Sequence, residues 1–310
     1  MDPEDRFATA RDGTRIWWRS SGVGEPAVVL TDGIACSGFI WKYLEKQLAR
    51  RRRVLRWNYR GHGRSEAPRD PARVTVQDCV DDLLAVLDDA GAPRAVLAGH
   101  SMGVQVVLEA HRQAPGRVAG LLLLCGAPGR LLDSFHDSPL LGQAFPYAKE
   151  AVEAFPDLAK LLFRKLVPTE LAYQIGSALE TNRRLIRRDD LWPYLEGVAE
   201  MEPGLFVRML ASAAAHDAGD HLSKVDVPTL VLAGEKDTWT PMWLSVRMHA
   251  LIPGSEMVVL PGGTHVGPIE HPALVGREVE RFLARHFGEA PPSGGRAPRR
   301  KARRAAQGPR

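Results

Sequence analysis

The chain has 310 residues, 45% hydrophobic and 25% charged, with a formal net charge of +4. That size and apolar content suit one large domain with an insertion, and they exclude a chain disordered throughout. Cys36, Cys79 and Cys125 are odd in number and far apart, which excludes a disulfide framework or a cysteine metal cluster and points to a reducing, cytoplasmic setting. The first residues, Met1 to Arg6, are acidic and lack an apolar signal segment, and runs such as 118–125 are too short to span a bilayer. The charge is uneven. Residues 288–310 hold seven arginines and lysines against one acid, Glu289, so this segment carries +6 and the body sums to −2. A basic tail of this kind binds polyanions weakly or acts as a solubilising end. The body offers no basic stripe interleaved with aromatics, so nucleic-acid binding is not its expected function.

In chain order, Phe7–Ala10 and Arg15–Trp18 flank Asp12-Gly13 and read as a hairpin. Residues 27–30 read as a buried strand, about 39–49 as a helix, 53–57 as a strand and 76–87 as a helix with an apolar stripe. A strand about Val96, a helix from Val104 and a strand over 118–124 follow. Strands alternating with helices predict a mostly parallel sheet covered on both faces. The alternation stops after Gly129. From there to about Asp220 the pattern is helical, with helices expected over 148–154, 170–179 and 205–215, and with Pro146, Pro156, Pro168, Pro193 and Pro203 as punctuation. Strands over 228–233 and 256–260 and helices over 244–250 and 272–286 complete the pattern. The expected division is a core of 1–128 and 221–287, a helical cap of 129–220, and the tail.

Gly99-His100-Ser101-Met102-Gly103 matches G-x-S-x-G, between a strand and a helix, where a sharp turn lifts a serine hydroxyl out of a sheet. Serine needs a base to take its proton and an acid to orient that base. Asp237 and His265 follow at the ends of later strands, in the order serine, acid, histidine. Glu235 competes as the acid. Among the other histidines, His62 and His271 compete as the base, His100 reads as a packing or supporting residue, and His216 and His221 are placed to touch substrate. The oxyanion donors are assigned to the backbone N–H groups of Met102 and Ile34, the latter in Thr31-Asp32-Gly33-Ile34. Phe135, Phe145, Phe155, Tyr173, Trp192 and Phe206 are candidate walls of a substrate pocket, with Trp239 and Trp243 near it.

Four signals in order carry a resemblance over about residues 5–287. They are Asn58-Tyr59-Arg60-Gly61-His62-Gly63-Arg64-Ser65, Gly99 to Gly103, Gly234-Glu235-Lys236-Asp237 with Pro241, and Gly262-Gly263-Thr264-His265 with Glu270 and Pro272. Together they resemble the α/β-hydrolase superfamily, in its branch of serine esterases and lipase-like enzymes with a helical cap. The resemblance implies an α/β fold and a Ser101–His265–Asp237 triad. There are two departures: relatives usually have His-Gly where this chain has Asp32-Gly33, and aspartate where it has Asn58. Asp32 is expected to hold the oxyanion loop by accepting its backbone N–H groups.

The expected function is a serine hydrolase that cleaves a carboxylic ester of a small or medium apolar substrate through an acyl-enzyme. No metal or organic cofactor is implied. Lactone, amide, thioester or carbon–carbon bond hydrolysis, or cofactor-free perhydrolysis, would use the same residues. A non-catalytic small-ligand receptor on the same fold is the alternative of a different class.

Overall fold

The computed structural model describes residues 5–288; the tail reading falls on residues 289–310 and lies outside them. Eight strands form one sheet in the order β1-β2-β4-β3-β5-β6-β7-β8 among the described residues. Their ranges are β1 Asp5–Thr9, β2 Arg15–Ser21, β3 Ala27–Thr31, β4 Val54–Trp57, β5 Ala95–His100, β6 Val118–Leu124, β7 Thr229–Gly234 and β8 Glu256–Leu260. The β1–β2 hairpin pairs Phe7 with Trp17, and β2 runs antiparallel to β4. All pairs from β4 to β8 are parallel. This is the mostly parallel sheet that the alternation predicts, in the α/β-hydrolase arrangement that the resemblance implies. The antiparallel hairpin is closed by Asp12, which accepts the Thr14 N–H, and by Gly13 at φ 81°.

The central strands are apolar on both faces because helices cover both. Val29, Leu97, Leu121, Leu123 and Val231 pack on one side with helices α2 (Val76–Asp89) and α3 (Met102–Gln113). Val28, Val96, Leu122, Leu230 and Leu232 pack on the other with α1 (Lys42–Leu48) and the C-terminal helix Pro272–Phe287. That alternation is the period of two of a strand, buried twice over. Helix α2 begins with a reciprocal capping box between Thr75 and Asp78. The expected helix over 39–49 divides into a 3-10 turn at 39–41 and α1.

Between β6 and β7 lie five helices: α4 Leu140–Ala154, α5 Pro156–Leu166, α6 Glu170–Glu180, α7 Arg188–Glu200 and α8 Pro203–Ala215. Their two ends are tied together by a bridge between Gly129 and Asp217, with Ala218 N–H donating to Pro128 O and Arg130 N–H to His216 O. The proline punctuation is corrected in part. Pro156 and Pro203 start helices, where the missing N–H costs nothing, but Pro146 and Pro193 sit inside α4 and α7. Eleven large apolar side chains between Leu140 and Leu185 remain exposed, among them Leu158, Leu162, Leu171 and Ile175. The remaining helices are α9 Met242–Leu251, α10 Gly267–Glu270 and α11 Pro272–Phe287. No helix of the described residues is long and apolar enough to cross a membrane.

Candidate active site

Ser101 stands between the end of β5 and the first residue of α3, at φ 55° and ψ −121°. A non-glycine residue there is strained, and the flanking packing holds it. A Cβ at Gly99 would collide with the Gly103 backbone, and one at Gly103 with the carbonyls of Thr31 and Asp32. Both glycines are therefore needed, and they press the serine turn against the loop after β3.

His265 and Asp237 arrive from the ends of β8 and β7. His265 Nε2 lies 2.9 Å from Ser101 Oγ, and His265 Nδ1 lies 3.0 Å from Asp237 Oδ2. An ionised carboxylate only accepts, so the imidazole proton sits on Nδ1 and Nε2 is left to accept from the serine. Asp237 is buried, which by itself would raise its pKa. The opposing pull of His265 and the hydrogen bonds from Thr240 bring it below the usual value. Its Oδ1 takes the N–H groups of Trp239 and Thr240, and its Oδ2 takes the Thr240 hydroxyl at 2.8 Å. The competitor Glu235 is exposed and turned to the Gly262 N–H.

The expected oxyanion donors border the same point. A Cβ on Gly33 would lie 3.0 Å from Ser101 Cβ, so the loop carrying Ile34 passes directly beside the serine. Met102 opens α3, where backbone N–H groups have no partner within the helix. Neither the Ile34 nor the Met102 N–H donates to another protein group among the described residues.

Asp32 departs from its expectation. Its buried carboxylate oxygens make no hydrogen bond of ordinary geometry among the described residues; the Gly38 N–H and the Trp41 indole face them and pull weakly. The loop is held instead through the Asp32 main-chain carbonyl, which accepts from Tyr59 Oη at 2.7 Å. Tyr59 lies in the Asn58–Ser65 loop, but its distance in sequence hides this contact.

The other histidines separate cleanly. His100 donates from Nε2 to the His265 carbonyl at 2.9 Å and is neutral, its pKa pushed down to about 3 by burial and by His265. His62 is buried against the Arg60 carbonyl, and burial lowers its pKa to about 4. His271 caps α11. His216 and His221 do not reach substrate space: His221 pairs with His111 at 2.9 Å and His216 faces Glu109. Glu270 was read only as part of a loop pattern. It accepts from Thr264 N–H and Oγ1 and from Asn182 N–H, and so anchors the histidine loop to the α6–α7 connection.

Ser101 and His265 open into an apolar cavity of about 210 Å³. Of the candidate walls, Phe206 and Trp239 line it. Phe135 packs on Trp239, Tyr173 and Trp192 meet in a tilted contact with ring centroids 6.1 Å apart, and Phe155 is exposed. The remaining wall comes from residues not singled out, including Phe39, Leu132, Leu191 and Tyr194. Glu180 also borders the cavity, its carboxylate taken by His136 and Thr238. Among the described residues no cluster of three or more His, Cys, Asp or Glu side chains is arranged to hold a metal ion.

The chain is 25% identical to the uncharacterized hydrolase YugF of Bacillus subtilis, over 91% of this chain and 98% of that protein. It is 26% identical to the pimeloyl-(acyl-carrier protein) methyl ester esterase of Sodalis glossinidius, over 83% and 93%. Among solved structures it is similar to a thermophilic esterase from Thermogutta terrifontis, with a TM-score of 0.71, 25% identity, and 92% and 100% of the two chains covered. Residues 28–278 match the profile of the alpha/beta hydrolase family, and the chain belongs to that family.

Proposed function

We propose that this protein is a serine carboxylic-ester hydrolase acting on a small or medium apolar substrate, with residues 129–220 as a cap over the site. The observation that carries this reading is the unbroken chain from Ser101 Oγ through His265 to Asp237, at the mouth of an apolar cavity. The esterase names of the Sodalis and Thermogutta relatives agree with it.

In this mechanism Ser101 Oγ attacks the ester carbonyl as its proton passes to His265 Nε2. The carbonyl oxygen becomes an oxyanion facing the N–H groups of Ile34 and Met102. The carbon–oxygen bond to the alcohol breaks, and His265 gives the departing oxygen its proton. Water then attacks the acyl-enzyme, with His265 again taking a proton. The acid leaves and Ser101 recovers its hydrogen. Asp237 stays ionised and holds the imidazole in one tautomer. The apolar walls favour a hydrocarbon acyl or alcohol group over a charged one.

The test is labelling with a fluorophosphonate probe, followed by peptide mapping, in parallel with hydrolysis of short-, medium- and long-chain aryl esters. A single adduct on Ser101 is expected, with Ser101→Ala losing about 1000-fold or more in turnover. Folded protein that neither labels nor hydrolyses any ester would overturn the reading.

A further inference from the structure

Asp32 ends β3 next to Gly33 and Ile34, and it is 3% exposed. Both carboxylate oxygens are buried without a hydrogen bond among the described residues. The register of β3 on β4 continues to set it beside Asn58, which adds no charge. The charged and titratable groups facing it come from several elements: Arg56 of β4, Glu45 of α1, Cys36 of its own loop and Tyr59 of the loop after β4. His100 lies across Gly33. The Trp41 indole and the Gly38 N–H face it too, but among the described residues the indole N–H makes no hydrogen bond and the Gly38 N–H donates to Cys36 O at 2.7 Å.

None of these groups compensates a charge well. Arg56 Nη1 is bonded to Glu45 at 3.3 Å, Glu45 also binds Arg19 at 2.6 Å, and Arg56 Nε is buried without a hydrogen bond to Asp32 or any other group among the described residues. Cys36 and Tyr59 are kept protonated by burial, which pushes both well up. His100 is neutral. A buried carboxylate without donors is costly, whereas the uncharged acid is tolerated. Burial raises the Asp32 pKa well above the carboxylate range, against a smaller downward pull from Arg56.

We propose that Asp32 is a positioning residue that works as an uncharged carboxylic acid, and that its ionisation disables the oxyanion hole from the alkaline side; the catalytic part rests on the ester-hydrolase reading above. The loop is clamped on both sides, by Tyr59 Oη on the Asp32 carbonyl and by Gly103 and Ser101 against Asp32 and Gly33. A charge on Asp32 must find donors or water, and the backbone that moves to provide them carries the Ile34 N–H. The same charge opposes a developing oxyanion in a dry site.

The experiment compares wild type, Asp32→Asn and Asp32→Ala, reading kcat and KM on an aryl ester and the denaturant midpoint across pH. Asparagine keeps the shape of the neutral acid and never ionises. Asp32→Asn is expected to keep kcat within about threefold of wild type at neutral pH, with KM unchanged, while Asp32→Ala falls by about tenfold or more. Wild type is expected to lose kcat on the alkaline limb, and Asp32→Asn to lack that loss. The midpoint carries the same sign. The folded acid keeps a proton that the unfolded chain has released, so wild-type stability declines with pH from the ordinary carboxylate range up to the raised pKa. Asp32→Asn flattens that decline. An infrared carboxylic-acid band at pH 8, present in wild type and lost in the variant, is expected as well. Identical pH profiles of wild type and Asp32→Asn, or an Asn variant as inactive as Ala, would overturn the proposal. If no ester is turned over, the ester-hydrolase reading fails by itself, and the midpoint and infrared band still decide the state of Asp32. If Asp32→Asn does not fold, the absence of the band from wild type overturns the proposal and its presence supports it.

Discussion

Asp237 uses one carboxylate for two tasks: its oxygens close the turn through Trp239 and Thr240, and they face the imidazole of His265. Removing its charge therefore disturbs the histidine tautomer while much of the turn survives. Asp237→Asn is expected to lower kcat by about 1000-fold or more, with the fold intact by circular dichroism. Glu235→Gln, at a side chain that accepts from the Gly262 N–H, is expected to cost little activity and about 1 kcal/mol of stability or less. The reverse order of the two kcat losses would reassign the acid. The proposed nucleophile and its partners were legible because each sits in a short motif at a strand end. The environment of Asp32 was not, because Tyr59, Trp41 and Arg56 meet it only after β3 and β4 have paired.

At the scale of elements, α3 and the loop after β3 touch backbone to backbone at Gly103. Gly103→Ala puts a methyl group where no flexible side chain can give way. It is expected to cost about 2 kcal/mol in a denaturant titration and to lower kcat, since the loop that carries the proposed oxyanion donor must shift. The helices between β6 and β7 present the opposite case. Leu158, Leu161, Leu162 and Leu166 of α5 and Leu171, Ile175 and Leu179 of α6 are exposed, whereas every residue of β5 and β6 is buried. Few buried contacts mean cheap local opening, so amides of α5 and α6 are expected to exchange with deuterium orders of magnitude faster than those of β5 and β6. The strands were legible and two of these helices were not, for local reasons. The sheet announces itself in continuous apolar runs such as Val118–Leu124. In α5 and α7 the prolines, Pro156 and Pro193, read as breaks although one opens a helix and the other lies within one.

For the whole molecule, charge and fold separate. The described body has nearly balanced charge, and the excess of arginine belongs to the end of the sequence. Deleting residues 289–310 is expected to leave kcat and KM on a small ester within about twofold, because every residue of the proposed site lies before it. A large fall in kcat would place the tail in the site. Across the hairpin, Arg60 binds Asp82 in a bidentate pair at 2.6 and 2.8 Å and also reaches Asp12 at 3.0 Å, joining β1–β2 to α2. Asp82→Ala strands a buried guanidinium and is expected to destabilise the protein by about 3 to 5 kcal/mol, read from the denaturant midpoint.

The three cysteines are spread over the chain, and all are buried as free thiols. Burial holds each thiol's pKa well above normal, so in the folded state each is both shielded and poorly ionised. Cys36 lies in the loop after β3, Cys79 in α2 and Cys125 just after β6. Cys36 also lines the cavity beside Ser101, so a disulfide reagent added to the native protein reports entry to that cavity at Cys36 and openings of the fold at Cys79 and Cys125. Between Cys79 and Cys125, the first thiol modified names the part of the fold that yields first.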